Sequence, residues 1–68
     1  MRLLVDGTRY IAESQYEERA IPKAAGFRWH PARREWWTED PVKAMRLIAH
    51  ADAAVAAAIR AGIAALQS

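Results

Sequence analysis

The residues best suited to chemistry in this 68-residue chain lie in one stretch, from Phe27 to Thr38. It holds all three tryptophans, the only phenylalanine and three arginines. Two short aromatic runs lie on either side of a basic turn that contains Pro31. Rings of this size either fill the core of a small domain or form a surface that stacks on a flat, negatively charged ligand. The function of the chain depends on which of these holds.

The sequence shows no convincing catalytic site. No serine or threonine has a histidine placed by a motif as its base. The adjacent carboxylates Glu17-Glu18 and Glu39-Asp40 each lie at a predicted helix start, where the helix dipole favours negative charge. Without cysteine there is no Cys-based zinc site, and His30 and His50 are far apart in sequence. We therefore expect no enzyme activity, no metal and no cofactor.

Positive charge is concentrated in the middle of the chain. The whole protein has a net charge of +2. Between Arg19 and Arg46, seven basic residues accompany three acidic ones, a local net charge of +4. Such an excess suits a phosphate backbone. Charge taken alone nevertheless favours an ordinary solvated surface.

A first β-hairpin and a short helix are predicted ahead of the aromatic stretch. Asp6-Gly7 separates two β-prone runs and indicates a hairpin over residues 1–13 with a type I′ turn. In residues 14–26, Ser14-Gln15-Tyr16-Glu17 has the form of a capping box. Proline favours the first position of a helix, and glycine favours the position just after its last residue. A short helix that starts at Pro22 and ends at Gly26 is therefore predicted. We expect Ile21, Ala24 and Ala25 to face the core.

Residues 27–38 are predicted to form a second β-hairpin, which pairs with the first in one antiparallel sheet. Phe27 and Trp29 alternate with Arg28, as on a half-buried strand, and we assign both rings to the core. Arg28 then points away from the core. Trp36 and Trp37 are consecutive on the return strand and point in opposite directions, so one is buried and the other is available. Alternation does not say which.

Residues 41–67 are predicted to be helical. Asp40 caps this region and Pro41 takes its first position. A core stripe is expected at Val42, Met45, Ile48 and Ala49, with Leu47 off it. An alanine-rich tail then carries an apolar seam of helical period, formed by Val55, Ile59, Ile63 and Leu66. Asp52 either caps a second helix or lies within one long helix. The seam suits packing on the sheet, a homodimer contact or a junction to another domain.

These elements predict a single α+β domain over residues 1–68. A small antiparallel sheet of two β-hairpins packs against a short helix and a C-terminal alanine-rich helix or helix pair. The absence of cysteine rules out disulfides and is compatible with a reducing cytoplasm, where we expect the protein to reside. No signal peptide or membrane span is predicted.

The segment from Ile21 to Thr38 resembles the K-x-x-G-x-R-W-D-P-x-x-x-x-W signature of HARP-like modules. Such modules accompany Swi/Snf-type annealing helicases, phage and bacterial superfamily-two helicases and some plasmid primases. The resemblance extends over most of the chain. One departure is His30, where the family more often has an aspartate that would cap the turn. No helicase motif is present in the sequence.

The resemblance implies a non-catalytic, helicase-associated module that binds DNA, single-stranded or forked, with little sequence specificity. Arginines would neutralise phosphates and an exposed tryptophan would stack on a base. We expect Arg28 to be the leading contact. The full set of candidate binding residues is Lys23, Arg28, His30, Arg33, Arg34, Trp36 and Trp37. The alternative is a phage-type protein-interaction module or inhibitor that grips a host defence or helicase protein through the same surface, because Trp and Arg also dominate protein–protein hot spots.

Overall fold

The computed structural model describes residues 1–67, and it confirms the α+β class. Four antiparallel strands lie in the order β1-β2-β4-β3, so the two hairpins join through β2 and β4. The strands are β1 (Arg2–Asp6), β2 (Arg9–Glu13), β3 (Arg28–His30) and β4 (Glu35–Thr38). The α-helices are α1 (Ala20–Ala25), α2 (Pro41–Met45) and α3 (Ala53–Gln67), with 3₁₀ turns at Tyr16–Glu18 and Ile48–His50. No helix in the described part of the chain is long and apolar enough to span a bilayer.

The turn of the first hairpin differs from the prediction by one residue. Asp6 pairs with Arg9 across the strands, so the two-residue loop is Gly7-Thr8 rather than Asp6-Gly7. Of these two loop residues, only Gly7 has a positive φ, of 61°. A type II′ turn requires positive φ at its first central position alone, whereas type I′ requires it at both. The predicted type I′ turn is therefore wrong, although the hairpin is confirmed.

Helix α1 begins two residues before Pro22 and ends as predicted at Gly26. In the first turn of a helix the backbone N–H groups have no intrahelical partner, so the missing N–H of Pro22 is tolerated there. Gly26 has a φ of 97°, and the Phe27 N–H donates to the Pro22 carbonyl at 3.0 Å. This is the left-handed glycine cap of a helix C-terminus. Pro22 and Ala25 are buried.

The predicted core face of α1 is partly wrong. Ala25 is buried as expected, but Ile21 is 43% exposed and Ala24 is also exposed. The side of α1 that meets the rest of the protein carries Pro22 and Ala25, which are three residues apart on one helix face.

The C-terminal region is two α-helices. The Asp40 carboxylate accepts from the Val42 N–H at 2.9 Å, which confirms the predicted cap of α2. The Asp52 carboxylate accepts from the Val55 N–H at 2.8 Å and starts α3 in the same way. Between them, Ala51 forms a parallel bridge with Leu3 at the outer edge of β1.

The helices cover one face of the sheet. The buried core joins sheet residues to apolar positions on all three helices and to Phe27. The buried stripe around α2 is Pro41, Ala44 and Leu47, whereas Val42 is 46% exposed. The predicted stripe is therefore only partly right: Met45 and Ile48 are half-buried and pack against the core, whereas Val42 and Ala49 are exposed.

The aromatic rings divide differently from the prediction. Phe27 is buried as expected, but Trp29 is 47% exposed, and its assignment to the core is wrong. Trp29 lies on β3, one of the two edge strands of the sheet. Alternation places Trp29 on the same face as Trp36, but a residue on an edge strand has a neighbouring strand on one side only, so alternation does not by itself decide its burial.

The apolar seam of α3 is confirmed only over its first half. Val55 and Ile59 are buried and Ile63 is half-buried, while Leu66 is 63% exposed. Gly62 permits this packing, because a Cβ at that position would lie 2.5 Å from the Tyr10 Oη and 3.0 Å from the Pro41 Cβ. Tyr10 is itself buried and its ring is rigid, so it has little room to move away.

Gly62→Ala should therefore destabilise the protein. The overpacking penalty, about 1–3 kcal/mol, outweighs the roughly 1 kcal/mol that alanine contributes through helix propensity. Thermal unfolding followed by circular dichroism measures the difference. The same substitution in a Tyr10→Phe background should be less harmful, because the nearest atom is gone. A higher melting temperature for Gly62→Ala alone would contradict the close packing.

Candidate functional site

A groove of about 700 Å³ lies at one end of the sheet. Three features meet there: the exit from β2, the turn at Tyr16–Glu18, and the hairpin formed by β3 and β4. We call it the aromatic groove, and its lining residues are Ser14, Gln15, Tyr16, Arg19, Trp29, Arg34 and Trp36. This size lies within the range of small-molecule pockets.

Two tryptophans form one wall of the aromatic groove. Trp29 and Trp36 are directly opposite each other on β3 and β4, and Trp36 is in turn opposite Ala12 on β2. Their ring centroids are 5.3 Å apart with the planes tilted by 56°. Such a pair contributes about 0.5–1.5 kcal/mol beyond simple burial. Trp36 also packs against the core, so it supports the more exposed ring of Trp29.

Tyr16 and Arg19 supply a second aromatic and basic element. The Tyr16 side chain is 74% exposed. The Arg19 guanidinium carbon lies 3.8 Å from the centre of that ring, and Arg19 Nη1 donates to the Tyr16 carbonyl at 2.9 Å. The hydrogen bond and the cation–π contact together hold the guanidinium against the ring.

Glu18 fixes the turn that carries Tyr16. Its carboxylate accepts from the Gln15 N–H at 3.1 Å and from the N-terminal ammonium of Met1 at 3.0 Å. The backbone hydrogen bond from Gln15, followed by the ammonium, lowers the pKa of Glu18 below its ordinary value of 4.5. The capping interaction thus uses Gln15 and Glu18, and the predicted capping box of Ser14 and Glu17 is wrong by one residue.

His30 organises the loop between β3 and β4. Its Nδ1 accepts from the Arg33 N–H at 3.2 Å, so the imidazole caps the turn. The aspartate that the HARP-like signature has at this position would accept the same hydrogen bond through a carboxylate oxygen. His30 in its place therefore still caps the turn. The Nη1 atom of Arg33 lies 3.9 Å from a carboxylate oxygen of Asp6 and 3.7 Å from a carboxylate oxygen of Glu35.

The opposite face of the sheet carries a separate cluster. Trp37 lies between Ile11 and Arg28 in the strand register, and it is half-buried. The guanidinium carbons of Arg9 and Arg28 lie 5.0 and 5.9 Å from the centre of its ring. A shallow hollow beside Arg28 and Trp37 is also lined by Glu39 and Asp40, whose negative charge offsets the basic residues there.

The structure brings only part of the predicted set together. Arg34 and Trp36 line the aromatic groove. Arg28 and Trp37 lie on the other face, Arg33 is near Asp6 and Glu35, and His30 holds the loop. Lys23 is exposed on α1 and lines none of the hollows described. As predicted, Trp36 and Trp37 point to opposite faces, and Trp36 is the ring that packs against the core, although both rings are only half-buried.

Sequence reasoning missed Tyr16, Arg19 and Trp29, along with Ser14 and Gln15. Tyr16 and Arg19 are three residues apart at a predicted helix start, a spacing that brings side chains together. That signal was present in the sequence. The exposure of Trp29 had no such local signal, because its place on an edge strand depends on how the two hairpins pair.

The aromatic groove is basic. Arg19 and Arg34 line it, and none of its lining residues is a carboxylate. Within residues 1–67, no group of three His, Cys, Asp or Glu side chains is placed to hold a metal ion. The arrangement is suited to holding a flat ring beside an anionic group by stacking and charge.

Comparison of the chain with protein-family models, with curated proteins and with solved structures found no match.

His30 can be tested as the cap of the loop. His30→Ala should lower the free energy of unfolding by about 0.5–1.5 kcal/mol, because the Arg33 N–H loses its acceptor. His30→Asp should retain most of the stability, since a carboxylate also accepts. Thermal unfolding compares the two variants, and equal losses in both would contradict the capping role.

Glu18 should make the fold sensitive to acid. Because its pKa is lowered in the folded protein, the ionised carboxylate stabilises the fold above pH 4.5. That contribution disappears as the pH falls through the folded-state pKa. Glu18→Gln should therefore flatten the dependence of melting temperature on pH below about 5. Glu17→Gln is the matched control and should keep the wild-type profile. An unchanged profile in Glu18→Gln would exclude this role.

Proposed function

We propose that this protein is a non-catalytic nucleic-acid-binding module and that the aromatic groove is its binding surface. One observation supports this most: exposed rings and two arginines line the same groove without a carboxylate among them. Bases stack on aromatic side chains in proteins that bind single strands, while basic residues follow the backbone. The resemblance of residues 21–38 to HARP-like modules supports the same class of ligand and a role beside a helicase.

The proposed contacts predict low sequence specificity. Stacking contributes about 1–3 kcal/mol per base and accepts every base, because each has an aromatic face. Contacts to phosphate carry no base identity directly. Trp29 and Tyr16 are the more exposed rings of the groove, so they are the proposed stacking surfaces. Arg28 lies next to Trp29 on β3 but on the opposite face, where it has a secondary role.

Fluorescence anisotropy with labelled single-stranded, duplex and forked oligonucleotides tests this proposal. Binding should weaken as salt rises, because bound phosphates release counterions. Tyr16→Ala and Trp29→Ala should each weaken binding by roughly 5- to 150-fold, which corresponds to the loss of one stacked base. Val42→Ala is the matched control, since Val42 is also exposed and lies outside the groove.

Two outcomes would count against nucleic acid. Failure of the folded wild-type protein to bind any oligonucleotide at low salt would contradict the proposal. Salt-insensitive binding to a single protein, lost in the same two variants, would instead favour the phage-type protein-interaction module.

Arg60→Glu on α3 is the control for the effect of net charge on binding, because Arg60 is exposed and lies outside the groove.

A further inference from the structure

Arg34 has an unusual backbone. It is the only residue other than glycine with a positive φ in the described chain, at 53°. An L-residue with a long side chain is disfavoured in this left-handed region, where glycine and asparagine are better accommodated. Strained residues of this kind concentrate at functional sites. The loop 31–34 could take a glycine at this position more easily, yet it holds an arginine.

The side chain of Arg34 also differs from its neighbours. Arg33 is near two carboxylates, Arg28 flanks the Trp37 ring, and Arg19 is held against Tyr16 by a hydrogen bond and by stacking. Among residues 1–67, Arg34 takes part in none of the side-chain hydrogen bonds, ion pairs or ring contacts. Arg34 nevertheless lines the aromatic groove, as the two tryptophans Trp29 and Trp36 do.

The loop around Arg34 is held in place. Its first residues are fixed by the hydrogen bond from the Arg33 N–H to His30, and Glu35 already pairs with His30 in the sheet. The left-handed residue lies between these two fixed points. Its conformation therefore sets the direction in which the arginine side chain leaves the loop.

We infer that Arg34 anchors one phosphate of the bound nucleic acid at the aromatic groove, and that its left-handed backbone positions the guanidinium for this contact. This inference rests on the proposed function. A guanidinium presents a planar set of N–H donors that match two phosphate oxygens. With no partner in the protein, those donors are available to a ligand. Trp29, which is supported by Trp36, would stack on the adjoining base.

Three variants separate the charge of Arg34, its backbone and its position. Arg34→Ala removes the side chain and keeps the strained backbone, whereas Arg34→Gly removes both. Ala32→Arg/Arg34→Gly keeps the net charge and returns an arginine to the same loop, two residues away. Binding of a fluorescent single-stranded oligonucleotide is measured at several salt concentrations, and thermal unfolding is measured for each protein.

Arg34→Ala and Arg34→Gly should both weaken binding about ten-fold or more, the loss of a charge-assisted hydrogen bond. Both should reduce the slope of log affinity against log salt by about 0.7, the value for one phosphate on a single strand. Arg34→Gly should melt several degrees above Arg34→Ala, because glycine relieves the left-handed strain. The charge-restoring double variant should remain as weak as Arg34→Gly.

Wild-type affinity in Arg34→Ala would overturn the anchoring role, and recovery of affinity in the double variant would overturn the positioning role. Equal melting temperatures for the glycine and alanine variants would show that the backbone is not strained, and would overturn the positioning role as well. Each of these results leaves the proposed function standing. A wild-type protein that binds no oligonucleotide overturns the proposed function and the anchoring role together.

Discussion

The pairing of β2 with β4 is the constraint on which the rest of the structure depends. This one contact joins two local hairpins into a sheet, and its register places Ala12 opposite Trp36 and Ile11 opposite Trp37. A shift of one residue would move every side chain of the second hairpin to the other face. The register therefore decides which tryptophan meets the core and groove and which meets the Arg9 and Arg28 cluster. The groove and its opposite face follow from the same set of backbone hydrogen bonds.

A domain of this size has few rings to divide between stability and an exposed surface. Trp36 serves both purposes, because it packs against the core on one side and supports Trp29 on the other. Small side chains make this possible. Ala12 and Ala44 are fully buried, and Gly62 lets α3 approach Tyr10 and Pro41 closely. The helices can then pack closely on one face of the sheet, and Trp29 is left exposed.

The arginines are distinguished by their partners rather than by their charge. Arg46 donates to the Ala25 carbonyl at 2.9 Å and links α2 to the end of α1. Arg33 is near carboxylates, and Arg9 flanks an indole ring. Arg34 differs because its backbone is strained and its side chain lines the groove without such a partner. The local excess of positive charge does not by itself distinguish the roles of the individual arginines.

The sequence by itself determined the elements whose signals are local. The glycine cap at Gly26, the Asp40 cap, both hairpins and the α+β class follow from backbone preferences of a few adjacent residues, and each was predictable. The proposed contacts at Arg34 and Trp36 were also named from the sequence, since they lie in the aromatic and basic stretch.

Only the tertiary structure decided how these elements face one another. Trp29 lies on an edge strand, with a neighbouring strand on one side only, and Tyr16 and Arg19 join the groove because the chain leaves β2 beside the second hairpin. Arg28 and Arg34, six residues apart, lie on different sides because a strand alternates its side chains and the loop bends the chain between them. These outcomes depend on contacts between residues distant in sequence, and local propensity carries no information about them.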